Sequence, residues 1–102
     1  MRRRDRRSQP EPLGALVPRV LKDLGLEESA RALRVAERWE VVAGVEVARH
    51  SRPTGMRAGV LEVTVDSSVW CQQLQLRSPE ILDALRAVLP AEAPSELWFR
   101  VG

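Results

Sequence analysis

The hydrophobic period of this chain changes at Ser51-Arg52-Pro53, and that change restricts the fold more than any other feature. Ahead of it, Ala32, Val35, Ala36, Trp39, Val42 and Val47 recur at helical spacing and predict one helix from about Glu28 to Arg49. Beyond it, Leu61, Val63 and Val65 alternate with Val60, Glu62 and Thr64, as in a strand with one buried face. A chain that passes from period 3.6 to period 2 has to bury helices against a sheet. Gly44 lies inside the helical stretch, where it either admits a close backbone crossing or marks a bend.

The remaining elements follow from the same patterns. Leu13, Leu16, Val17, Val20, Leu21 and Leu24 share one helical face, with Pro18 as a kink or a start and Gly25 as a terminator. Ala58-Gly59 reads as a hairpin turn joining a short strand around Pro53–Arg57 to Val60–Val65. Asp66, Ser67 and Ser68 offer capping oxygens for a helix beginning near Val69. Its apolar positions are Trp70, Leu74, Ile81, Leu82, Leu85, Val88 and Leu89, and Ser78-Pro79-Glu80 divides it into a kinked helix or two short ones. Pro90 and Pro94 end it, and Glu96–Val101 forms a last strand with Leu97, Phe99 and Val101 on one side. The order helix, helix, strand, strand, helix, strand predicts an α+β fold: one three-stranded sheet covered on one face by helices.

A chain of 102 residues has room for one domain, and 44% hydrophobic residues can supply one modest core. The single cysteine has no partner in the chain, and no apolar run approaches the ~20 residues of a membrane span. The arginine-rich start lacks the apolar stretch of a secretory signal, so the expected compartment is the cytoplasm. Within residues 1–8, Arg2, Arg3, Arg4, Arg6 and Arg7 face only Asp5, a local charge of +4 in a chain of net charge +2, so the rest of the chain is slightly acidic. Residues 1–12 have no apolar periodicity and are expected to form a disordered arm that neutralises phosphates in a salt-dependent way; residues 13–102 form the domain.

Catalytic chemistry is not encoded in any evident constellation. His50 is the sole imidazole and is expected to cap a helix end; Cys71 is expected to pack. One histidine and one cysteine do not form a zinc site, there is no phosphate-binding loop ending in Gly-Lys-Ser or Gly-Lys-Thr, and no cofactor or small-molecule substrate is expected. Candidate nucleic-acid contacts are the arm together with Arg49, His50, Arg52 and Arg57, which adjoin one another between the second helix and the hairpin. The Gly-x-x-Gly loop of a KH domain is absent, and Trp98 is the one aromatic residue that could face outward from the sheet.

Protein binding has a clearer signal. Trp39 lies on the core stripe, whereas Trp70 occupies the first turn of its helix, a position often at a domain's edge. Leu74 and Leu76 are two residues apart and so point about 200° from each other, which leaves one of them outside the core. Trp70, Gln73, Leu76 and Arg77 are therefore the candidate partner-binding residues, with Gln72 and Gln75 at the rim.

Several stretches, in order, carry a family resemblance: Trp39-Glu40-Val41-Val42-Ala43-Gly44, Ala48-Arg49-His50-Ser51-Arg52-Pro53, Gly59–Val65, Trp70 with Leu74 and Leu76, and Leu97–Gly102. Over residues 13–102 the chain resembles the DciA-like proteins of bacteria, linked to loading or operating the replicative helicase. The resemblance implies a KH-like domain in the bacterial cytoplasm that binds the hexameric replicative helicase and assists it on single-stranded DNA without catalysing a reaction. The alternative is a sequence-tolerant RNA- or DNA-binding module of KH-like topology with no helicase partner.

Overall fold

The computed structural model describes residues 25–102. The arginine arm and the helix expected at 13–24 lie outside the described residues. In chain order the elements are α1 (Leu26–Glu37), α2 (Trp39–Ala43), α3 (Val45–His50), β1 (Ser51–Arg57), β2 (Val60–Val65), α4 (Ser68–Leu76), α5 (Ser78–Val88) and β3 (Glu96–Val101). The expected α+β class is what forms: a mixed three-stranded sheet in the order β1-β2-β3, with five helices packed against it.

The single helix expected over Glu28–Arg49 is instead three, broken at Arg38 and at Gly44. Gly44 adopts φ 96°, ψ 157°, a conformation open essentially to glycine alone. A Cβ built there meets nothing within 4 Å, so of the two roles open to this glycine the bend is the one it has. Gly44→Ala is therefore expected to destabilise the domain by about 1–3 kcal/mol through backbone strain alone, measurable as a lower urea midpoint.

β1 and β2 form the expected hairpin. Ala58 and Gly59 both have positive φ, 52° and 82°, as a two-residue type I′ turn requires. The Glu28 carboxylate accepts the Ala58 N–H at 2.6 Å and ties α1 to the turn. β1 begins two residues earlier than the sequence pattern indicates, at Ser51, and its register with β2 shifts between Pro53 and Gly55, a bulge at Thr54. β3 lies parallel to β2, so α4 and α5 form the crossover that a parallel neighbour needs. Ser-Pro-Glu acts as a fresh start: α4 ends at Leu76, and α5 begins at Ser78 with Pro79 in its first turn, where a missing N–H costs no helical bond.

The core lies between the sheet and the helices. Leu61, Val63 and Val65 from the central strand meet Val35, Trp39, Leu74, Leu85 and Phe99, all buried. Trp39 is the core residue its stripe predicts, and its indole is satisfied: Nε1 donates to Ser51 Oγ at 3.0 Å, and that hydroxyl donates to the Val47 carbonyl at 2.7 Å. This buried chain of two hydrogen bonds joins α2, the middle of α3 and the first residue of β1. Alternation sends Arg52, Thr54, Glu62, Thr64, Trp98 and Arg100 to the opposite face of the sheet.

Candidate functional site

Two surfaces gather the candidate residues, and α4 carries the first. Ser67 caps this helix, its hydroxyl accepting the Trp70 backbone N–H at 3.2 Å, and so sets which residues face inward. Leu74 is fully buried and Leu76 is 78% exposed, so Leu76 is the member of the pair that leaves the core. Val69, 66% exposed, lies seven residues before Leu76 and hence on nearly the same face. Gln73, also exposed, falls between them, and Arg77 follows at the end of the helix. The outcome is an apolar seam of Val69 and Leu76 with uncharged and cationic neighbours, standing clear of the core. Val69 was not among the candidates from sequence; its seven-residue spacing from Leu76 was the signal that would have found it.

Trp70 takes a different position. It is half-buried, and its ring stacks on His50 with centroids 4.6 Å apart and planes 14° from parallel. His50 does not cap its own helix; its Nδ1 pairs with Asp66 Oδ2 at 2.9 Å, and the Asp66 N–H donates to the His50 carbonyl at 3.0 Å. Glu46 Oε2 lies 3.8 Å from the other ring nitrogen. His50 therefore links the end of α3 to the β2–α4 connection and backs the Trp70 ring, which holds the first turn of α4 in place. Cys71 is half-buried, with its sulfur 3.9 Å from the Phe99 carbonyl oxygen, in the packing position expected of it.

The basic residues that adjoin in sequence separate in space. Arg49 is exposed beside Glu46, 3.7 Å away, so the end of α3 is balanced by Glu46 and Asp66. Arg52 projects from the sheet face opposite the described helices, and Arg57 sits at the far end of β1, about 16 Å along the strand from it. Thr64 is the register partner of both Arg52 and Arg100, which places those two arginines in one row across the sheet. Arg100 pairs with Glu62 at 3.1 Å, and Glu62 is in turn the register partner of the exposed Trp98. Arg100 was not a candidate from sequence, because only the parallel pairing of β2 with β3 sets it opposite Arg52. Residues Arg2, Arg3, Arg4, Arg6 and Arg7 lie outside the described residues.

Among the described residues no group of three or more His, Cys, Asp or Glu side chains is placed to hold a metal ion, and no helix is long and apolar enough to cross a membrane.

Comparison with known proteins finds relatives over most of the chain. The chain is 35% identical over 80 residues to a UPF0232 protein of Rhodococcus jostii, covering 78% of this chain and 43% of that protein. A UPF0232 protein of Mycolicibacterium smegmatis is 34% identical over 80 residues, 78% of this chain and 41% of its own length. One of Mycobacterium tuberculosis is 31% identical over 80 residues, again 78% of this chain and 43% of its own. The chain thus spans less than half the length of these relatives. The family described as "Dna[CI] antecedent, DciA" matches residues 12–99, which takes in every described element up to the middle of β3, and the chain belongs to that family.

Proposed function

We propose that this protein is a non-catalytic replication factor that binds the hexameric replicative helicase of a bacterial cytoplasm and assists its placement or activity on single-stranded DNA. Membership of the DciA family supports a role of the helicase-loader type. The observation that carries the partner-binding reading is the exposed seam of Val69 and Leu76 on α4. Exposed aliphatic side chains seven residues apart, flanked by Gln73 and Arg77, have the composition of an interface centre with a polar rim. Trp70, held by His50, stiffens the base of that seam and contributes its exposed edge.

Single-stranded DNA is met weakly and without sequence preference, by the arginine arm and by the Arg52–Arg100 row. A titration of the full chain against the hexameric helicase, and separately against fluorescent single-stranded DNA at two salt concentrations, tests the reading. Helicase binding that survives higher salt, with DNA binding that does not, is the expected pair of results. Salt-resistant DNA binding with no helicase binding would instead favour the nucleic-acid module. Changing Arg52 and Arg100 together to glutamine is expected to lower DNA affinity severalfold at low salt and to flatten its salt dependence, with helicase affinity unchanged.

A further inference from the structure

The two edges of the described sheet are not alike. β1 carries Pro53 and the bulge at Thr54, both of which hinder pairing with a further strand. β3 has neither: its register with β2 runs unbroken from Glu96 to Val101, and Trp98, Phe99 and Val101 are strand-favouring residues. The Glu96 N–H donates to the Gly59 carbonyl at 3.4 Å, and the Gly102 N–H to that of Val65 at 2.9 Å. In a parallel ladder such alternate residues turn both backbone groups toward the neighbouring strand. Leu97, Phe99 and Val101 therefore turn theirs outward, and among the described residues no strand pairs with them. The Cys71 sulfur lies 3.9 Å from the Phe99 oxygen, a weak contact that leaves that oxygen able to accept an amide N–H.

We propose that the outer edge of β3 pairs with the same edge of a second copy of this chain, antiparallel about a two-fold axis at Trp98. The strand is self-complementary in that register. Leu97 of each copy meets Phe99 of the other through their outward backbone groups, Trp98 meets its own counterpart, and Glu96 meets Arg100. Glu96, Trp98 and Arg100 are all exposed and leave the sheet on one face, so these pairs are side-chain contacts between opposite charges and between aromatic rings. Glu96 makes no ion pair with another described residue. Arg100 gives Nη1 to Glu62 at 3.1 Å and keeps its other N–H groups for a second carboxylate. In the neighbouring register, centred on Phe99, Arg100 would face Trp98 and Glu96 would lose its counter-charge. Pairing at Trp98 makes one continuous sheet, with the Arg52–Arg100 rows of both copies on the same face. The self-association does not rest on the helicase or DNA reading.

The test is sedimentation equilibrium of the full chain over a wide concentration range, with thermal melting of each variant as the control for folding. The mass is expected to rise with concentration from one chain toward two. Glu96→Arg and Arg100→Glu should each weaken the association by about tenfold or more, because like charges then face one another. An equimolar mixture of the two variants should recover it, since each arginine again meets a glutamate. Val101→Pro, which deletes an outward N–H and no charge, should weaken it as well. Three results would overturn the proposal: the mass of one chain at every concentration; a dimer undiminished in Glu96→Arg and Val101→Pro, which would move the contact away from β3; and no recovery in the mixture when both variants melt as the wild type does.

Discussion

Leu74→Ala is expected to cost the domain about 2–5 kcal/mol, whereas Leu76→Ala, the same change two residues along the same helix, should stay within about 0.5 kcal/mol. Leu74 is fully buried among the central-strand and α5 side chains, so truncation removes its transfer energy and leaves a cavity in a close-packed core. Leu76 is already 78% exposed and leaves no cavity. Stabilities of small domains are about 5–15 kcal/mol, so the first substitution brings the protein toward unfolding at ambient temperature. Urea denaturation of both variants, followed by tryptophan fluorescence, reads the difference directly. Equal losses would mean that α4 is rotated from the orientation its Ser67 cap sets.

The paired substitution Val69→Asp with Leu76→Asp is expected to weaken binding to the hexameric helicase at least tenfold, which is about 1.4 kcal/mol or more, with little change in melting temperature. The physical reason lies in the exposure of both side chains: water already solvates them in the free protein, so charging them costs the fold little. Docked against an apolar partner surface, the same two carboxylates would be desolvated without counter-charges, and that penalty falls on the complex alone. Calorimetric titration alongside thermal melting separates the two effects. Unchanged affinity in a folded variant would remove α4 from the helicase interface and direct attention to the other exposed apolar positions, such as Val41 and Val45.

The sequence alone determined the parts of this protein that depend on local period and local backbone chemistry. Alternation over Val60–Val65, positive-φ tolerance at Gly59, Ser67 before a helical stretch and Pro79 at a helix start each act within a few residues, so the strands, the turn and an interruption at Ser78-Pro79-Glu80 were legible, while the choice there between one kinked helix and two separate ones was left to the structure. The long helix over Glu28–Arg49 was not, because its apolar stripe continues in phase through a glycine whose break shows only in its backbone angles. Leu74 and Leu76 made one outward apolar residue certain, but which one depended on where the core lies, and that is set by the sheet beneath α4. Nor could adjacency in sequence group the basic residues. Arg49 and Arg52 straddle a helix end and a strand start, while Arg52 and Arg100, 48 positions apart by their numbers, share a row only because β3 returns parallel to β2. Tertiary structure decided these points because burial and cross-strand pairing depend on elements distant in sequence, whereas propensity and capping are settled within a turn of the residue itself.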